Sequence, residues 1–177
     1  MSRIVKVIAA LLVIGGGVWC EYELCYIPYR CGVLEKQIEL RTNVALQSSD
    51  QYSSSVIAHA NLAAMAPFLE RCARPGLYMM AAANRRIVNQ PQLAVNDYRK
   101  ALTYDLRPEI FFELGLTELE AQHPSAAIDS LTAASLFYVG YLYEIPYQNV
   151  RERVAEACRD PSAVDRLEHE WAALDRQ

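Results

Sequence analysis

Four prolines set the frame for most of this chain. Pro75, Pro91, Pro108 and Pro124 fall 16, 17 and 16 residues apart. Proline suits the first turn of a helix, where its missing N–H has no intrahelical partner anyway, and it disrupts a helix interior. Each proline is therefore expected to open a helix of roughly a dozen residues. Four such helices make two hairpins with a 33-residue unit, and the expected fold class is all-α.

The side chains keep the same period. Pro75, Tyr78 and Ala82 match Pro108, Phe111 and Gly115, and Pro91, Ala94 and Ala101 match Pro124, Ala127 and Ala134. An aromatic early in the first helix fills a gap against its neighbour. A small residue at Ala82 or Gly115, facing Ala94 or Ala127, lets the paired helices approach, and Tyr98 or Leu131 one turn later fills the space between hairpins. This pattern resembles the tetratricopeptide repeat (TPR) family over residues 75 to about 140, and best in the second unit, at Phe111, Leu114, Gly115, Ala127 and Ala134. The chain departs from the family pattern in three ways. The unit is 33 residues, not 34. Asn89 and Gln122 stand where the hairpin turn usually has glycine. Leu106 stands where a closing proline is usual.

The resemblance implies an α-solenoid of antiparallel hairpins with a concave face built from the first helix of each unit, where family members hold an extended peptide or a helix. Mapped onto this chain, that face takes Met79, Ala83 and Arg86 from one unit and Phe112, Leu116, Leu119 and Glu120 from the next. A face so apolar, with one Arg and one Glu, suits an apolar partner segment. Neighbouring helices of the chain itself are the competing occupant. A second candidate surface is the aromatic stretch of Phe137, Tyr138, Tyr141 and Tyr143, in a region where Asp129 and Glu144 are the only charges between Pro124 and Val150. Tyrosine couples apolar area to a polar tip. The stretch can dock onto a partner or a membrane surface, or pack into the core.

The N-terminus has a different character. Arg3 and Lys6 lead into an uninterrupted apolar run from Val7 to Cys20, about 21 Å as a helix against a hydrocarbon core of about 30 Å. Ile4, Val5 and a snorkelling Lys6 lengthen it, and Trp19, Tyr22, Tyr26 and Tyr29 follow like an interfacial belt. The aromatic collar favours a retained single-pass anchor through residues 4–20, and a secretory signal removed by cleavage is the alternative. Both readings leave the N-terminus cytoplasmic and the body extracytoplasmic, periplasmic in a bacterium. The resulting division is an anchor at 1–23, a juxtamembrane segment with a first amphipathic helix at 24–53, and a helical domain at 54–177. The domain holds repeats at about 75–107 and 108–140 and capping helices over 146–175. Ser54 to Cys72 and Leu34 to Leu46 are expected to be helical, as are Pro146 to Cys158 and Pro161 to Trp171.

Chemistry is not legible. With 53% apolar and 21% charged residues the chain can build a core, and a net charge of −4 gives no nucleic-acid footprint. No CxxC pair, HExxH, GxSxG, GxGxxG or phosphate loop occurs, so no metal, cofactor or catalytic residue is expected. An extracytoplasmic body would permit a disulfide, with Cys25–Cys31 the shortest candidate, and small buried thiols are the alternative. The expected role is a non-catalytic, membrane-tethered scaffold or adaptor for a protein or peptide partner. The alternatives are a structural accessory subunit of a large membrane complex and, third, an enzyme with an unfamiliar site.

Overall fold

A computed structural model describes residues 16–174. Residues 16–21 are helical and lead through a π-helical turn, Tyr22–Tyr26, into the long helix α1, Ile27–Gln47. Nine helices follow: α2 Gln51–Met65, α3 Leu69–Cys72, α4 Pro75–Ile87, α5 Pro91–Leu102, α6 Pro108–Glu120, α7 Pro124–Phe137, α8 Gly140–Glu144, α9 Gln148–Ala157 and α10 Pro161–Leu174. The described residues are all-α and contain no strand. None of their helices is long and apolar enough to cross a membrane. Most of the expected anchor lies outside the described residues, and the part within them, 16–20, is an exposed helical turn.

Four helices begin at Pro75, Pro91, Pro108 and Pro124. α4 packs on α5, α6 packs on α7, and α5 against α6 joins the two hairpins. The hairpin turns explain the missing glycines. Asn89 and Gln122 both take left-handed backbone, with φ of 58° and 62°. Each is followed by the paired bonds of a Schellman ending: Asn89 N–H to Arg86 O and Gln90 N–H to Arg85 O, then Gln122 N–H to Leu119 O and His123 N–H to Glu118 O. The turn geometry is the one glycine favours, reached here without it.

Tertiary contacts repeat at the same 33-residue step. Tyr78 stacks on Tyr104 with ring centroids 5.7 Å apart, and Phe111 stacks on Phe137 at 6.0 Å. The ion pair of Arg85 with Asp97 has its counterpart in Glu118, which accepts from Ser130 Oγ at 2.7 Å. Glu118 is only 1% exposed and also receives Arg99 Nη2 at 2.7 Å, so the buried carboxylate is bonded on both oxygens.

The α1–α2 hairpin closes the first unit from the N-terminal side. Asp50 caps α2 by accepting from the N–H groups of Tyr52 and Ser53. A small apolar cluster of Ile38, Met65, Leu77 and Ala81 joins α1, α2 and α4. Beside it lies a buried polar knot: Asn84 donates to Thr42 Oγ1 at 2.8 Å and Asn61 donates to Asn84 Oδ1 at 3.0 Å. A disulfide, Cys31–Cys72, ties α1 to α3 across 41 residues. The short-range pair Cys25–Cys31 does not form, and Cys25 is exposed and free.

Three expected helices have different limits, and the one expected over 34–46 begins already at Ile27. The helix expected over 54–72 divides at Pro67, which has no N–H to continue the ladder, and α3 then ends at left-handed Ala73. Pro146 does not open a helix. Ile145 before it is fully buried, its carbonyl is held by Arg151 Nη2 at 2.6 Å, and α9 starts only at Gln148.

Candidate partner-binding groove

The first helices of the two units, α4 and α6, stand side by side and leave a groove of about 700 Å³ between them. Residues three and four apart share a helix face, so Met79, Ala83 and Arg86 line one wall, and Glu113, Leu116 and Glu120 line the other. Tyr98 from α5 lies at the base and Leu46, at the end of α1, on the rim. Of the residues expected on the concave face, Met79, Ala83, Arg86, Leu116 and Glu120 meet in this one space.

Arg86 is the polar centre of the groove. Its Nε and Nη2 reach the two oxygens of Glu120 at 3.0 and 2.6 Å, and its Nη1 reaches Glu113 at 2.6 Å. Burial works against the guanidinium charge, but the bond to Glu120 and the field of the neighbouring acidic groups outweigh it and hold Arg86 firmly protonated. Burial, then the nearby Glu113 carboxylate, push the Tyr98 hydroxyl well above its usual range, so it stays neutral. The Met79 sulfur accepts from Arg107 Nη2 at 3.2 Å. The groove is thus an apolar trough with a fixed cation flanked by two carboxylates, and its charged groups sum to one negative charge.

Two expected concave-face residues are not available there. Phe112 is only 8% exposed because the Tyr141 ring from α8 covers it, with centroids 4.8 Å apart. Leu119 does not line the groove. At this end the chain fills its own concave face. Sequence reasoning missed several lining residues, Leu46, Tyr98 and Glu113 among them, and of these Glu113 is the one that bonds Arg86. Glu113 lies seven residues before Glu120 on the same helix face, and that spacing was the available signal.

The aromatic stretch divides between core and surface. Tyr141 is half-buried on Phe112, and burial, then Glu109, raises its hydroxyl pKa. Phe137 stacks on both Phe111 and Trp171 of α10. Tyr138 meets Tyr141 edge-on and is otherwise exposed, while Tyr143 is 70% exposed. Among the described residues no three His, Cys, Asp or Glu side chains converge as a metal site would require. Comparison of the chain with protein-family models, with curated proteins and with solved structures finds no match.

Proposed function

We propose that this chain is a non-catalytic TPR-like scaffold that holds an apolar segment of a partner protein in the groove between α4 and α6. The supporting observation is the convergence of Met79, Ala83, Leu116 and the Arg86–Glu120 pair on one open groove. Its walls are rigid helices, so little ordering cost falls on the scaffold when a partner binds. On this reading the N-terminal segment tethers the scaffold to a membrane with the body on the extracytoplasmic side. The Cys31–Cys72 disulfide supports an oxidising compartment. Tethering raises the local concentration of the groove near membrane partners, so modest affinity suffices.

A photo-crosslinking amino acid at Met79 or Leu116, in the full-length protein in cells, tests the reading. Discrete adducts are expected from both positions and not from Arg153, an exposed residue on α9. Equal labelling from all three positions, or no groove adduct, would overturn it.

The exposed aromatic and apolar side chains Trp19, Tyr29, Tyr138 and Tyr143 favour a second reading, a structural subunit buried among neighbours. Stoichiometric comigration with a large complex after mild detergent extraction would support that reading, and dissociation would support the adaptor.

A further inference from the structure

The 33-residue step also relates two grooves on another side of the stack. One lies in the second unit and is lined by Leu102, Thr103, Phe111, Glu118, Ser130 and Ala133. The other lies in the first unit and is lined by Leu69, Glu70, Tyr78, Arg85, Asp97 and Lys100. Each residue of the first set is 33 positions after its counterpart in the second. The two grooves are the same place on successive repeats.

Their occupancy differs. In the second unit, helix α10 forms a wall. Trp171 stacks on Phe137 at 4.9 Å and meets Phe111 at a tilt of 48° with centroids 5.7 Å apart, Leu167 is buried, and Arg166 pairs with Asp129 at 2.7 Å. About 390 Å³ remains open there. In the first unit the groove is about 680 Å³, and among the described residues no third ring stacks on the Tyr78–Tyr104 pair. Burial, then the neighbouring Tyr104, push the Tyr78 hydroxyl up to about 12, and with Tyr78 only 4% exposed it is the Tyr104 ring, 40% exposed, that offers aromatic surface to the groove.

The charges indicate what fits. Arg85 is neutralised by Asp97, which leaves Glu70, Arg71 and Lys100 and a surplus of one positive charge. The Lys100 ammonium stands over the Tyr104 ring at 5.5 Å, at the edge of the stack. In the second unit, Glu170 of α10 lines the groove together with Ala133. Lys100 replaces Ala133 in the first unit, so an acidic residue held as Glu170 is held would meet a cation there.

We propose that the open groove beside the Tyr78–Tyr104 stack is a second docking site, which takes a partner helix carrying an aromatic residue with an acidic residue beside it, seated as α10 seats Trp171 on the Phe111–Phe137 stack. The site shares no lining residue with the α4–α6 groove, so it stands or falls separately from the function proposed above.

The test uses the full chain and a synthetic peptide of residues 160–174 carrying a photoreactive group in place of Ala173, with cross-links mapped by mass spectrometry. Saturable binding with cross-links to residues 66–71 is expected, since those residues line only the first-unit groove. Lys100→Glu in the full chain, an exposed position whose helix content is checked by circular dichroism, should weaken binding at least tenfold. Trp171→Ala in the peptide should abolish it. Cross-links to residues 99–103 and 126–133 with none to 66–71 would mean that the peptide only displaces α10 and would overturn the proposal. So would an absence of saturable binding, or binding indifferent to both substitutions.

Discussion

Gly115 on α6 faces Leu131 on α7 so closely that a Cβ on the glycine would stand 2.6 Å from the leucine Cγ and 3.2 Å from the Ala127 carbonyl oxygen. The leucine that fills this approach is fully buried. Alanine at 115 would gain up to about 1 kcal/mol in helix propensity, but overpacking costs about 1–3 kcal/mol. Gly115→Ala should therefore lower stability by about 1 kcal/mol, net of these two effects, read as a lower urea midpoint at unchanged slope. Leu131→Ala alone should cost about 2–5 kcal/mol, and adding Gly115→Ala to it should recover part of that loss because the new methyl enters the cavity. A higher midpoint for the single Gly115→Ala variant would contradict the close approach.

The left-handed turns give a graded expectation. A non-glycine residue in that region costs roughly 1–2 kcal/mol, less for asparagine, whose short polar side chain bonds locally. Gln122→Gly should raise stability by about 0.5–1 kcal/mol after glycine's larger unfolded-state entropy is subtracted, whereas Asn89→Gly should be close to neutral. Thermal melts of the two variants measure the difference, and equal shifts would speak against the backbone assigned to Gln122.

The disulfide is a stability device independent of the groove. Closing a loop across 41 residues removes denatured-chain entropy worth about 4 kcal/mol in the loop-entropy description. Dithiothreitol should lower the melting temperature of the wild type and leave a Cys31→Ala/Cys72→Ala variant unchanged. Serine at Cys20 or Cys25, both exposed, should leave the melting temperature and its response to reductant as they were. A wild-type melt insensitive to reductant under denaturing exchange conditions would exclude the bond.

The cap at Asp50 carries a pH signature. The Ser53 hydroxyl, then the backbone N–H groups of Ser53 and Tyr52, hold its carboxyl below the ordinary 3.8. A carboxyl depressed in the folded state stabilises above its unfolded pKa and loses that contribution as pH falls through the folded value. Stability conferred by Asp50 should therefore be present in full above about pH 5 and fade below pH 4. Asp50→Ala should lower the melting temperature at pH 7 and show a smaller acid-induced drop than the wild type. Asp50→Asn should keep most of the cap and lose the pH dependence.

The groove was legible to the extent that periodicity defines a helix face. Spacing on α4 and α6 was enough to bring Met79, Ala83, Arg86, Leu116 and Glu120 together. It was not enough to show that α8 returns over the end of that face and covers Phe112 with Tyr141, because that contact depends on how the chain turns after Phe137. Glu113 was overlooked for a related reason. A lone carboxylate on a helix is ordinarily solvated, and only the reach of Arg86 from the neighbouring unit gives it a partner.

The sequence by itself determined the helical period of this protein. Proline fixes a backbone dihedral angle and removes a donor, and its recurrence every 16 or 17 residues places four helix starts and the hairpins between them, whereas Pro146, outside that spacing, opens none. The small residues Ala82, Gly115, Ala94 and Ala127 likewise indicated close helix pairs without reference to anything distant. The tertiary structure decided which distant groups those helices bring together: Cys31 with Cys72 in place of Cys25, Tyr78 with Tyr104 and Phe111 with Phe137, Asn61 with Asn84 and Thr42, and Trp171 on one repeat but not its counterpart. These pairings depend on the accumulated rotation from helix to helix and on where each connection leaves the stack, quantities that no local run of residues encodes.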